Sequence, residues 1–176
     1  MGGFFGAVSK NDAISDVFFG TDYHSHLGTR RAGIAAYDKE IGLQRDIHNI
    51  QNSPFRKKKK KIFDEMYGKS AIGCISDFEP QPLLMRSKIG TYAICFVGLI
   101  ENSDQLIDEY LVKQGIHFNA MTSGKVNSVE LISALINQKD NFTDGIKFAQ
   151  SVIKGSATIL ILTDYGSIIA ARDKVG

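Results

Sequence analysis

The chain has 176 residues, 43% of them hydrophobic and 23% charged, enough apolar material for a buried core and too much for a disordered segment. Net charge is +2 and five of the 21 basic residues fall in one run, Lys57 to Lys61, so the remainder is near neutral and a broad nucleic-acid footprint is not supported. The two cysteines, Cys74 and Cys95, each sit inside an apolar stretch; this suits reduced thiols packed as small hydrophobes in a cytoplasmic protein and implies no disulfide framework.

The opening "MGGFFGAVSK" lacks the basic start and long apolar run of a secretory signal. Runs such as "YAICFVGLI" reach about half of the roughly 20 residues a membrane helix needs, so no membrane partner is expected. Gly6 stands where an acylation signal after Gly2 wants Ser or Thr.

In chain order, Phe4 to Val8 reads as a short buried strand, and Ser9 to Asp12 as a polar break capping a helix with Ile14, Val17 and Phe18 on one face. Gly20 and the polar "TDYHSHLGTRR" are expected to end it. "AGIAAYD" and "IGLQRDIH", split by "KE", predict a hairpin of buried strands. Ser53-Pro54 predicts a helix entry, the helix running through the lysines to about Tyr67 with Phe55, Ile62, Phe63 and Met66 turned inward and Gly68 stopping it. The strands "SAIGCIS", "PLLMRS" and "TYAICFVG" follow. Helices are predicted from Asn102 to Lys113 and Asn127 to Gln138, both with Asn caps, and from Thr143 to Lys154. "SATILILTD" and "SIIAARD" close the chain as a hairpin across "YG".

Strands grouped in hairpins at both ends, with helices between, argue for an α+β fold with antiparallel sheets. A strand as apolar as "ATILIL" must be covered on both faces, which two stacked sheets with helices outside would achieve.

Five stretches then carry a resemblance. "GGFFGAV" resembles Cys-Gly-(Ile/Val)-Phe-Gly, and "HLGTRRAGIAAYD" is similar to His-Arg-Gly-Gln-Glu-Ser-Ala-Gly-Ile-Ala. "GKSAIGCISDFEPQPLL" is similar to a Gly-His-Val-Arg-Tyr-(Ser/Ala)-Thr stretch running on to Gln-Pro, and "FVGLIENSDQL" to His-Asn-Gly-Asn-Leu-Thr-Asn-Ala-Glu-Glu-Leu. "IIAARDKVG" is similar to a closing Ala-Ala-Arg-Asp-Pro-(Leu/His)-Gly. In that order they resemble the N-terminal glutaminase domain of the amidophosphoribosyltransferases, class II glutamine amidotransferases of the N-terminal-nucleophile hydrolase fold. The resemblance spans residues 1–176 as one amidotransferase type 2-like domain. It implies a four-layer αββα sandwich, two antiparallel sheets between helix layers.

The family's N-terminal cysteine thiolate attacks the glutamine side-chain amide, its own α-amino group acting as base, and yields a glutamyl thioester and ammonia. Carried over by position, the resemblance puts that nucleophile on Gly2, which has no side chain. The arginine of His-Arg-Gly falls on Leu27, with Gly28 matching beside it; the carboxylate-anchoring arginine falls on Ala71; the oxyanion asparagine falls on Val97, with its companion Gly98 kept; and the ammonium-binding aspartate falls on Asn127. Loss of one oxyanion donor alone costs about 10²–10³ in rate. Loss of the nucleophile removes the covalent route, so no catalytic residue is expected intact and the domain is read as structural or regulatory. The alternatives are an active amidotransferase or amide hydrolase with non-standard chemistry, and an anion-binding module through Lys57 to Lys61.

Cys74 is the thiol nearest the altered positions in sequence, yet no His or basic neighbour stands by to lower its pKa, and a buried inert cysteine is the simpler reading. Lys57 to Lys61 reads as a solvated helix flank, without the interleaved aromatics of a single-strand platform. His24 and His26 have His-x-His spacing beside Asp22, but no third ligand of zinc type lies close in sequence, so no metal and no cofactor is expected. A phosphoribosyltransferase domain is expected to follow in the full-length protein and to be this chain's partner; self-association is left open.

Overall fold

In the computed structural model, residues 2–28, 30–112, 121–122 and 125–174 are described. Two four-stranded antiparallel sheets dominate. The first, sheet A, has the order β1-β4-β2-β3, built from β1 (Gly2–Val8), β4 (Ser70–Ser76), β2 (Arg31–Asp38) and β3 (Gly42–Asn49). The second, sheet B, has the order β10-β9-β6-β5, built from β10 (Ile168–Ala171), β9 (Gly155–Thr163), β6 (Gly90–Ile100) and β5 (Leu83–Ser87). A short pair, β7 (Met121–Thr122) with β8 (Lys125–Val126), stands apart.

Alternation along each strand assigns the faces. Ala35, Ile72 and Cys74 of sheet A meet Ala93, Cys95, Leu160 and Leu162 of sheet B in one dry layer between the sheets. Residues of opposite parity, among them Ile34 and Ile75, pack outward under α1 (Ile14–Tyr23) and α2 (Lys59–Glu65) with Val17, Phe18, Phe55 and Ile62. Ile94, Phe96, Ile159 and Ile161 point the other way, under α3 (Ser103–Leu106), α4 (Ser128–Ile136) and α5 (Phe142–Val152). The layers run α, β, β, α, as the apolar terminal strands require.

The local deviations have physical causes. The first strand begins at Gly2 and is an edge strand, half-buried, with Val8 65% exposed, so the expectation of a buried strand is corrected. Helix α1 runs through Gly20 to Tyr23 because the Phe5 ring lies directly over Gly20 and a side chain there would collide with it. Its N-terminus has no side-chain cap; Asp12 instead accepts a hydrogen bond from Gly68 N–H at 3.0 Å. The lysine-rich helix enters as a 3-10 turn over Phe55–Lys58 before α2 begins, and Phe63 stays 36% exposed. Asn102 does not cap α3. It bridges to the end of α5, donating to Val152 O at 3.0 Å and accepting from Lys154 N–H at 2.8 Å.

On β3, His48 is buried with its ring tilted against Phe55 at 6.2 Å. Its Nε2 lies 3.0 Å from Asp46 Oδ2, poorly aligned for a hydrogen bond, and Lys61 Nζ reaches the same oxygen at 3.3 Å. Burial lowers the His48 pKa, and the positive charges of Lys61 and Lys58 add to that against the pull of Asp46. The folded chain therefore holds this proton less tightly than the unfolded chain, whose histidine titrates near 6.5. Above that value the group contributes nothing to stability; below it the unfolded state alone takes up the proton, and stability falls with pH. Wild type is expected to lose more stability than His48→Gln between pH 7 and pH 5 in urea titrations, and equal losses would refute this role.

Candidate functional site

The strand register fixes which predicted positions meet. Gly2 lies opposite Ser76 on β4, and Ser76 lies opposite Arg31 on β2, so the three form one row across the end of sheet A. By parity Ser76 and Arg31 share the face that Cys74 and Ala35 turn toward sheet B, whereas a Cβ at Gly2 would run into the β4 backbone at Ile75 O.

Two ties align the sheets end to end. Ser70, at the start of β4, donates to Gly166 O in the β9–β10 turn at 2.6 Å. Gln81, just beyond the other end of β4, accepts from Phe96 N–H at 2.7 Å, with Cys74 Sγ 3.8 Å from the same oxygen. Val97 and Gly98 therefore close the same end as Gly2 and Ser76, with Val97 on the face that Ala93 and Cys95 turn inward. The candidate site is this end of the inter-sheet layer, floored by Gly2, Ser76 and Arg31 and roofed by Val97.

Ala71 does not belong to it. It pairs with Ala7, five positions along β4 from Ser76, which at about 3.4 Å per residue is roughly 17 Å away. It also faces outward under α1. No anchor there could hold a ligand presented to residue 2.

Leu27 closes a 3-10 turn, His24–Leu27, after α1. Its Cδ1 lies 3.0 Å from where a Gly3 Cβ would sit, so it packs on the outer side of β1, next to Gly2 but outside the inter-sheet layer; Gly28 follows, buried and extended. Asn127 is the N-cap of α4, its side chain accepting from Val129 N–H at 2.9 Å and Glu130 N–H at 3.1 Å. That commits its oxygen to the helix. Glu79, also buried, accepts from Ser128 N–H at 3.0 Å, so the α4 N-terminus already has its anion. Glu79 and Gln81 thus pin the 77–82 loop over the site, a role that surfaces only once the strands are paired.

At Gly2 the backbone is pressed against β4, and a Cβ there would overlap the Ile75 carbonyl oxygen. Both thiols are buried. Burial raises the Cys95 pKa well above the usual thiol range, the neighbouring Cys74 adding to the effect. A thiol raised in this way is a poor nucleophile.

The other candidates are engaged in local structure. Asp22 accepts from Arg56 Nε at 2.9 Å and Nη2 at 2.6 Å. His24 Nδ1 lies 2.7 Å from Gly20 O and His26 Nδ1 2.7 Å from Tyr23 O. Among the described residues, no group of three or more His, Cys, Asp or Glu could hold a metal ion. Lys59 Nζ sits over the Phe19 ring at 5.1 Å and the Phe63 ring at 5.3 Å, and Lys61 pairs with Asp46 and Glu65. No described helix is long and apolar enough to cross a membrane.

No protein-family profile matches the chain. It is 28% identical over 193 residues to the amidophosphoribosyltransferase of Methanocaldococcus jannaschii, covering 100% of this chain and 38% of that protein. It is 30% identical over 179 residues to the Bacillus subtilis amidophosphoribosyltransferase, covering 96% of this chain and 36% of that one. Among solved structures, the B. subtilis glutamine phosphoribosylpyrophosphate amidotransferase complexed with ADP and GMP superposes with TM-score 0.79 and 27% identity over 98% of this chain and 37% of that one. A second structure, described as the allosteric regulatory enzyme of purine biosynthesis, gives TM-score 0.82 and 27% identity over 100% of this chain and 38% of that one. The chain spans a little over a third of the length of the curated relatives it matches, and the matched part is their N-terminal glutaminase domain.

Proposed function

We infer, from an end-to-end kinship with the glutaminase part of the amidophosphoribosyltransferases, that this chain is a glutamine amidotransferase type 2-like domain of a purine-biosynthesis protein, and that it has lost the glutaminase reaction. The observation that carries the loss is Gly2: the nucleophile position has no side chain, and its backbone sits so close to Ile75 O that a Cβ has no room. Val97 withholds the side-chain donor for the oxyanion, and no arginine stands at Ala71. A catalyst of acyl transfer needs a nucleophile and preorganised donors together.

The retained sandwich would then cover and position an attached phosphoribosyltransferase domain in the cytoplasm, one that takes free ammonia or another nitrogen donor. The greater length of the relatives supports such a partner.

The test is a glutaminase assay on the purified chain, with Cys74→Ser alongside. Ammonia at the uncatalysed rate in both is the expected result. Release above that rate, abolished by one substitution, would establish an active amidotransferase or amide hydrolase with non-standard chemistry instead.

A further inference from the structure

We propose that the seam between α1 and α2 is a docking surface for an anionic lipid bilayer, met by exposed aromatic rings and lysines with no helix entering the membrane. The seam lies in the outer helix layer, over the face of sheet A that turns away from sheet B.

The sequence shows the cations without the rings. Arg56 and Lys57 to Lys61 lead up to Phe63 with no acidic residue among them, and the other aromatics of the patch come from α1, more than thirty positions earlier. Phe18 is fully buried, and the rings of Phe19 and Phe63 each stand edge-on to it at 5.4 Å. Both therefore reach the surface, and Phe19 is 45% exposed. Tyr23 lies one turn past Phe19 on the same side of α1 and is 75% exposed, its described ring contacts being to His24 and His26. Three rings left in water beside a run of lysines call for a partner that is apolar and negative together.

Pairing inside the fold decides which charges stay available and what they suit. Asp22 takes Arg56, the one guanidinium of the patch, while Asp46 and Glu65 take Lys61. Among the described residues, no carboxylate pairs with Lys57, Lys59 or Lys60, although Asp16 and Asp64 are exposed nearby. The planar fork that could read a single carboxylate or phosphate is thus spent. What remains are ammonium charges on long stems, which answer to the field of a charged surface. Lys59 Nζ lies over the Phe19 and Phe63 rings, covering faces on which a nucleic-acid base would have to stack. At a bilayer the same arrangement is favourable: the rings enter the boundary between headgroups and acyl chains, and the ammonium groups snorkel out among the lipid anions. A contact of this kind needs no spanning helix.

Co-sedimentation with two-to-one phosphatidylcholine–phosphatidylserine vesicles, with vesicles of phosphatidylcholine alone, and a parallel titration with single-stranded oligothymidylate test this. A lysine close to an anionic bilayer is worth about 5-fold in partition coefficient. The chain is expected to partition at least about 10-fold more strongly onto the mixed vesicles than onto phosphatidylcholine, and to lose that preference as salt is raised. Lys57→Gln/Lys60→Gln should fall about 25-fold and Tyr23→Ser about 3–10-fold, whereas Lys57→Arg/Lys60→Arg, with its charge kept, should match wild type. Wild type on the two vesicle types decides the matter by itself, so a variant that fails to fold leaves the test standing. Equal partition onto both vesicles, or wild-type partition by the folded double glutamine variant or Tyr23→Ser, would overturn the proposal. Tighter binding to oligothymidylate than to the mixed vesicles at the same salt would overturn it too, and assign the seam to nucleic acid.

Discussion

Installing the missing sulfur is expected to fail: Gly2→Cys, with Met1 removed, should release ammonia from glutamine no faster than wild type and form no γ-glutamyl adduct detectable by mass spectrometry. Two independent obstacles act together. A Cβ at position 2 overlaps the Ile75 carbonyl oxygen, a backbone atom held in the ladder to β1 and unable to rotate away as a side chain would. The start of β1 must therefore lift from β4, and overpacking of this kind costs about 1–3 kcal/mol, the lower end applying at a strand terminus that can fray. Even a correctly placed thiolate would then face Val97, and one absent oxyanion donor lowers the rate about 10²–10³-fold. The variant should thus melt below wild type and remain inactive. Steady ammonia release by Gly2→Cys would show instead that the cleft kept its glutaminase geometry and lost only the sulfur.

The elements could be read from the chain because each carries its own periodicity. "ATILIL" demands two covered faces, "AGIAAYD" and "IGLQRDIH" pair across a short polar break, and Asn127 announces a helix start that the structure confirms at Ser128. The site was legible only in part, since position in a motif does not determine position in space. Nothing in "GKSAIGCIS" says where along the strand Ala71 lies; only the pairing of Gly2 with Ser76 shows that Ala71 sits toward the far end and on the outer face of β4. Asn127 has the chemistry of a ligand and of a cap, and α4 takes it as a cap. Likewise Gly20 would end a helix in isolation, but the Phe5 ring occupies the space its missing side chain leaves.

Gly33→Ala is expected to be the most destabilising single-methyl addition near the site. Gly33 sits mid-strand in β2 and faces the 77–82 loop; a Cβ there would overlap Gln81 O and the Ile47 side chain. Ile47 can turn, but the Gln81 backbone cannot, because its side chain is locked between the sheets by Phe96 N–H and is only 3% exposed. Relieving the clash means moving the loop, and moving the loop breaks both the Gln81 bond to sheet B and the Glu79 bond to the α4 N-terminus. Overpacking plus one stranded buried N–H sums to about 3–5 kcal/mol. For a domain of this size that is a fall of roughly 10 °C in Tm by differential scanning calorimetry. Gln81→Leu separates the two contributions: it leaves the loop path free and strands only the Phe96 N–H, so its expected cost is about 1–3 kcal/mol. If Gly33→Ala melts at or above Gln81→Leu, the loop is not wedged between the sheets in the way its contacts indicate, and the row of Gly2, Ser76 and Arg31 loses the lid that defines it as a site.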